Sequence, residues 1–570
     1  MDNTAVSVSK RMGYSTLLLN ASFLIVFSVF LVLHVNSPSE QLPLRKYHFT
    51  LGDIDENDDS CKSFHSLSDN EAKCLYLKSN DPCVTEGYVD YLYLFYCKFG
   101  DLALFGQTLL FLWLLVLFYL LANTASEYFC PSLESLSKLL RLSPTVAGVT
   151  LLSLGNGACD VFATLVSFNG SGTGGIGFNT VLGGASFVSC VVVGIVSISV
   201  RHRGIRVKKS ALIRDVSFLL FVLVCLFAIL IAGEINVIGA ISFCLMYVVY
   251  VVIVYISSTR WKGDSSDGQS SNGDDPSVPL IIGMEKGVIG NDENGSQECR
   301  FNFEEKFCFK KSPVCRFSLC VLELPLYLPR RLTIPVVCEE RWSKPYAILS
   351  ALLSPLLLSS LWTPGSLTVY GTGLLIGIIL AVAAFFTTEP SSPPKKYMFP
   401  WLAGGFVMSV TWSYISAQEL VGLLVSLGYI YGISPSILGL TVLAWGNSIG
   451  DLVTNLTMAL HGGTEGAQIA ISGCYAGPIF NTVIGLGLSL ASSTWSQYPN
   501  SVIIPKDPYL WETLTLLVIG LIWALLVLVR RDMKLDSLLG GGLLAVYFIS
   551  LFLRLIQTLG TCQFQDILPK

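Results

Sequence analysis

Ser143 to Asp160 reads SPTVAGVTLLSLGNGACD, and Ser434 to Asp451 reads SPSILGLTVLAWGNSIGD. Aligned without a gap, the two stretches agree at eight of eighteen positions, including the Ser-Pro start, the Gly-Asn step and the closing Asp. Each runs apolar for about three helical turns before the Gly-Asn step, and an aspartate follows four residues after the asparagine. On a helix that spacing puts Asn156 with Asp160, and Asn447 with Asp451, on a common face. Gly155, Gly157, Gly446 and Gly450 weaken a helix at the same point and predict a break that exposes backbone carbonyls.

The company these carboxylates keep sets the class. Of 570 residues, 52% are hydrophobic and only 13% charged, with a mean hydropathy of +0.62. Such a composition is that of a polytopic membrane protein and not of a soluble domain. A net charge of −4 offers no basic patch for nucleic acid, and the chain holds no phosphate loop, nucleotide motif or nucleophile-base arrangement. The expectation is a non-enzyme without a cofactor, driven by ion gradients in a lipid bilayer and binding neither nucleic acid nor nucleotide. The Gly-rich stretch Ser167 to Asn179 lacks the lysine of a P-loop and is read as a turn between spans.

Working outward, an apolar run at 15 to 35 follows Lys10 and Arg11 and is read as an uncleaved N-terminal signal-anchor within 1–35. Residues 36–100 form a polar outer segment whose Cys61, Cys74, Cys83 and Cys97 predict two disulfides, with three pairings open. Five spans are expected within 103–256. A polar cytosolic loop at 257–345 follows, with five further cysteines whose spacing fits no zinc pattern and which are read as reduced thiols or lipid anchors. A helix pair at 346–388, a second five-span half at 400–558 and a tail at 559–570 complete an all-α chain of about 13 transmembrane helices.

Lys and Arg cluster in alternate short loops: Arg201 to Lys209, Lys395 with Lys396, and Arg530 to Lys534. The positive-inside rule then puts the N-terminus in the cytosol. With that count the Asp160 helix runs outward and the Asp451 helix inward, so the two halves are inverted repeats, a construction used by many secondary transporters. Asn169-Gly-Ser is a glycosylation sequon on the expected outer side, although it abuts the bilayer.

An ionised Asp at membrane depth costs about 2.5–3.5 kcal/mol by insertion scales, and neither motif helix carries Arg or Lys to pair with it. A bound cation is the natural partner. Carboxylate, amide, hydroxyl and carbonyl oxygens suit hard cations such as Ca²⁺, Na⁺ and K⁺, and two carboxylates neutralise one Ca²⁺, two monovalent ions or two protons. Behind each motif lies a helix rich in small residues, with Gly184 to Phe187 matching Gly477 to Phe480. Asn481 follows Phe480 where Val188 follows Phe187, so the copies are unequal and the second, with Ser448 opposite Gly157, is richer in ligands.

GNGACD and GNSIGD in inverted repeats resemble the alpha repeats of the cation/calcium exchangers, relatives of the sodium/calcium exchangers, and the likeness is closest to the plant branch. It is specific over 143–195 and 434–490. The resemblance implies that Asn156, Asp160, Asn447, Ser448 and Asp451 coordinate transported cations, with Asn481 contributing and Thr150 and Thr441 nearby. It implies a membrane antiporter exchanging Ca²⁺, K⁺ or other cations against Na⁺ or H⁺, in the plasma membrane or a vacuolar or other endomembrane. Sodium/calcium exchangers carry Glu at the places of Asp160 and Asp451, a hydroxyl at Gly157, and Pro at Cys159 and Gly450. Competing readings are a cation channel and a non-transporting cation-binding sensor, which a requirement for a counter-ion would separate. Glu419, inside the 400–428 run, is read either as a secondary proton or cation relay or as a hydrogen-bonded structural acid.

Overall fold

The computed structural model describes residues 70–78, 87–132, 135, 153–169, 174–264, 326–337, 341–362, 366–390, 392–394, 398–461, 463–504 and 507–565. The expected N-terminal anchor, Cys61, Cys83, Thr150, most of the central loop and the tail from 566 lie outside them. In chain order the elements are α1 (Asn70–Leu77), α2 (Tyr91–Tyr93, prolonged by a π-turn Leu94–Lys98), α3 (Ala103–Thr124), α4 (Ser153–Asn169), α5 (Gly174–Ser186), α6 (Val193–Val200), α7 (Lys209–Ala232), β1 (Glu234–Ile235) and α8 (Val237–Asp264). Then come α9 (Lys344–Trp362), α10 (Leu367–Thr387), α11 (Met398–Tyr431), α12 (Pro435–Leu438), α13 (Ala444–His461), α14 (Gly463–Phe480), α15 (Gly487–Ser496), β2 (Val502–Ile503), α16 (Pro508–Arg530) and α17 (Ser537–Gln565). Wide π-turns at Phe187–Val192, Gly439–Leu443 and Asn481–Leu486 join α5 to α6, α12 to α13 and α14 to α15.

Eleven helices among the described residues are long and apolar enough to cross a membrane. Within α4 the apolar stretch is shorter, Gly157–Phe168, and the first predicted span lies outside the described residues, so the structure reaches eleven of the expected thirteen. Sequence sets the helix ends locally. At α16, Asp507 caps by accepting from Tyr509 N–H at 2.9 Å, Pro508 occupies the first turn, and Arg530 ends the helix where its dipole is negative. Gly233 ends α7 at φ +73°, a conformation open to glycine.

The chain divides into two compact units, one holding 299–408 and the other 51–298 and 409–570. In the first, α9 and α10 form a close hairpin: a Cβ at Gly377 would lie 2.3 Å from Leu352 carbonyl oxygen. A helical stretch at 326–333 belongs to it, with Leu328 and Ile334 buried and Ser354 donating to Thr333 O at 2.6 Å. The end of the polar loop expected at 257–345 is thus folded, because Leu326, Leu328 and Ile334 give it an apolar face.

Inversion of the halves can be read from backbone pairing in the second unit. At one end, the turn between α6 and α7 pairs with the turn between α16 and α17: Val207 N–H donates to Met533 O at 2.9 Å and Leu535 N–H to Ile205 O at 3.0 Å. At the other, β1 after α7 pairs antiparallel with β2 before α16, Glu234 opposite Ile503 and Ile235 opposite Val502. The start of α7 therefore lies beside the end of α16, and its end beside the start of α16. These are the fourth helices of the two halves, and they run antiparallel. Neighbours across the halves repeat the pattern, α5 against α16 as α7 against α14, and α6 against α17 as α8 against α15.

The third helix of the first half is the most enclosed: 83% of the most apolar window of Gly175–Arg203 is covered by protein, against 17% for α9. Small residues make this possible. Gly183 lets α5 approach the π-turn before α13, where a Cβ would fall 2.4 Å from Leu440 O. Exposed Phe221, Val224, Ile238 and Val248 on α7 and α8 suit the lipid instead.

Candidate functional site

Asp160 in α4 is 4% exposed, and its Oδ2 accepts from Asn481 Nδ2 at 2.6 Å. The two residues are 321 apart in sequence and belong to opposite repeats. Asn481 opens the π-turn after α14, where the widened backbone carries its amide towards α4. Gly184 of α5 supplies the floor: a Cβ there would lie 3.6 Å from Ser448 Oγ and 3.9 Å from Asp160 Oδ1. Fully buried Ser448 comes from α13, as do Asn447 and the half-buried Asp451. Asp451 lies one helical turn after Asn447 on α13. Four helices from two halves therefore converge on one pocket of oxygens.

Most of those oxygens have nothing to bond. Among the described residues, Asp160 Oδ1, Asn447 Oδ1 and Nδ2, Ser448 Oγ and Asn481 Oδ1 are buried without a hydrogen-bond partner. Buried acceptors left bare cost about 1–3 kcal/mol each, so their convergence calls for a ligand of positive charge. No group of three His, Cys, Asp or Glu side chains converges among the described residues. The set is two carboxylates with neutral amide and hydroxyl oxygens, which suits a hard cation held loosely enough to leave again.

Of the other predicted residues, Asn156 lies in α4 with its side chain outside the described set, and Thr150 is outside it altogether. Thr441 donates to Ile437 O at 2.7 Å, which leaves its lone pairs free. Glu419 is held elsewhere, by Tyr88 N–H and Tyr91 O–H. Of the four cysteines between 61 and 97, Cys74 and Cys97 form a disulfide. Asp215 pairs with Arg214 at 2.8 Å, with Tyr250 O–H donating to it at 3.0 Å.

The expected break at the Gly-Asn steps does not occur. Both α4 and α13 run unbroken through them. Two of those glycines serve close approach: a Cβ at Gly157 would lie 2.1 Å from Asn481 Oδ1, and one at Gly446 2.1 Å from Phe118 Cε1, whereas Gly450 faces open space. Nor is Ser167 to Asn179 a turn, since α4 extends to Asn169 and α5 starts at Gly174.

Sequence reasoning passed over two polar contacts. Asn179, fully buried, donates from Nδ2 to Gly175 O and to Asp507 Oδ2, both at 2.8 Å. Arg554, 4% exposed, donates to Thr513 Oγ1 at 2.9 Å and lies 3.8 Å from Glu512. A lone Arg and a lone Glu in separate apolar runs were the available signal for the second.

Residues 110–256 and 401–556 match the family of sodium/calcium exchanger proteins, the two stretches that contain the two repeats. The chain is 51% identical to cation/calcium exchanger 2 of Arabidopsis thaliana over 97% of this chain and 98% of that protein. It is 31% identical to the mitochondrial sodium/calcium exchanger protein of Rattus norvegicus, covering 88% and 90%. The crystal structure of the H⁺/Ca²⁺ exchanger CAX is similar with a TM-score of 0.41 and 12% identity over 88% of this chain and 89% of that one. The chain belongs to the sodium/calcium exchanger protein family and, within it, to the cation/calcium exchangers.

Proposed function

We propose that Asp160, Asn447, Ser448, Asp451 and Asn481, with Asn156, bind the transported cation, and that this exchanger moves Ca²⁺, K⁺ or another cation against Na⁺ or H⁺ by alternating access. The observation that carries the reading is the set of bare buried oxygens around the Asn481–Asp160 bond. Two carboxylates shared between inverted halves give a single set of charges for which cation and counter-ion compete, and that competition is coupling. Occupation by one species excludes the other, so each must leave before its replacement binds.

The face bearing Arg201, Arg203, Arg206 and Lys208 also bears Arg530, Arg531 and Lys534, and the opposite face bears Glu234 and Asp507. On this reading the positive-inside rule makes the basic face cytosolic. The test is calcium flux in proteoliposomes against Na⁺, K⁺ and proton gradients. Exchange requires the counter-ion on the far side; flux that persists without one would sink the reading in favour of a channel.

A further inference from the structure

Among the described residues, the Cys-bearing segment supplies none of the pocket's oxygens, yet it reaches a buried acid. Glu419 of α11 is 8% exposed, and both of its carboxylate oxygens are bonded to this segment, Oε1 to Tyr88 N–H and Oε2 to Tyr91 O–H at 2.5 Å. Trp113 of α3 donates its indole N–H to the same Tyr91 oxygen at 2.9 Å. Every donor points towards Glu419, which is how neutral groups stabilise a buried carboxylate. Burial, and after it the Glu419 charge, push the Tyr91 phenol well above its ordinary range, so it stays a donor.

Around this polar junction the packing is apolar and continuous. Tyr91, Leu92, Phe95 and Tyr96 are buried with Leu110, Leu114 and Leu117 of α3 and Leu420, Val421 and Leu424 of α11. Gly106 of α3 allows Phe95 and Phe99 to press against the helix, within 3.1–3.3 Å of where its Cβ would be. Asp90 caps α2 by accepting from Tyr93 N–H at 2.9 Å, and the disulfide from Cys97 to Cys74 of α1 closes the segment just beyond Tyr96. The segment is a strap, and it joins α3 to α11. Those are the first helices of the two halves, and neither supplies an oxygen to the pocket.

We propose that Tyr91 and Glu419 are positioning residues for transport, and that the strap 87–98, fixed by Cys74–Cys97, holds α3 and α11 in a set register with one another during turnover. This rests on the exchange reading above. Alternating access moves one group of helices against another around a fixed site, so helices that bear no ligand are the ones whose mutual register sets the rate. A strap across them acts on turnover and not on the affinity of a pocket it does not touch.

The test uses full-length protein in proteoliposomes with a counter-ion gradient, flux being normalised to folded protein. Tyr91→Phe, which keeps the ring, lowers the maximal rate about tenfold through loss of one hydrogen bond to a charged group. The half-saturating calcium concentration stays within about twofold, the signature of an effect on turnover and not on binding. Glu419→Gln behaves alike, the double variant is no slower than the slower single one, and Cys74→Ser with Cys97→Ser reproduces the loss. Should Glu419→Gln not fold, Tyr91→Phe decides. Unchanged turnover per folded molecule, with only the melting temperature lowered, would make the junction merely structural and overturn the proposal. A shifted calcium half-saturation at unchanged maximal rate would overturn it too, by making Glu419 a ligand. Wild-type flux without a counter-ion would instead remove the exchange reading, a result visible before any variant is made.

Discussion

The two repeats reach the same pocket with different chemistry. In the first copy, Gly157 stands one residue after Asn156; in the second, Ser448 stands after Asn447. Behind them, Val188 in the first copy corresponds to Asn481 in the second. These two differences are one. Asn481 Oδ1 fills the space a side chain at Gly157 would need, 2.1 Å from its Cβ position, so glycine faces asparagine across the halves where the repeat relation sets serine against valine. A hydroxyl missing from one half is replaced by an amide reaching over from the other, and duplication has left a site whose halves depend on each other.

The comparison breaks first at the acids. Asp160→Asn and Asp451→Asn each keep size and remove charge, and each should cut counter-ion-driven calcium flux by at least about 100-fold, since either leaves half the charge a divalent ion needs. Unequal halves predict an unequal residue, with Asp451 the more sensitive to choice of cation because Ser448 and Asn481 come from its copy. Flux measured across Ca²⁺, K⁺ and Mn²⁺ would show it.

Next comes the glycine-asparagine contact. Gly157→Ser forces Asn481 away from Asp160, at about 1–3 kcal/mol for overpacking and the strain it brings, read as a lower melting temperature with reduced flux. Adding Asn481→Val, which copies the serine-valine pairing of the other half, should restore the melting temperature and leave flux low, because the amide proposed as a ligand is gone. Restored flux would mean that Asn481 is packing alone.

Gly183→Ala sharpens the contrast between shape and chemistry. Its Cβ would meet a backbone oxygen, Leu440 O, at 2.4 Å, and backbone yields less than a side-chain tip. About 1–3 kcal/mol of stability should be lost with cation preference unchanged. The smallest effect is expected at the starts of α16 and α7. At one, Asp507 before α16 receives Asn179 Nδ2; at the other, Lys208 before α7 donates its backbone N–H to Gln468 Oε1 at 2.5 Å. Asp507→Asn weakens one contact to a charged group, about 1 kcal/mol by thermal unfolding, and leaves calcium half-saturation unchanged.

Much of this was legible before any coordinates. Asp160 and Asp451, each with its asparagine, could be proposed because charge in apolar company is costly and a duplicated spacing survives as a pattern; Ser448 came from the resemblance to the exchangers, and Asn481 from its mismatch with Val188. Inversion followed from counting spans against Lys and Arg, and the antiparallel α7 and α16 bear it out. The role of the glycines was not legible: Gly157 and Gly446 read equally as weak points or as close contacts, and only the partner, Asn481 or Phe118, decides. Glu419 had no visible partner because Tyr88 and Tyr91 lie about 330 residues away, in a segment whose cysteines spoke only of a disulfide. The π-turn that aims Asn481 leaves no mark in a pattern of small and apolar residues.

Equilibrium calcium binding to purified protein tests the shared site most directly. One Ca²⁺ per wild-type chain, displaced by the counter-ion and lost in both Asp160→Asn and Asp451→Asn, is the predicted result. Full binding retained by either variant would show that the two repeats hold separate sites, and would contradict a single pocket built from both.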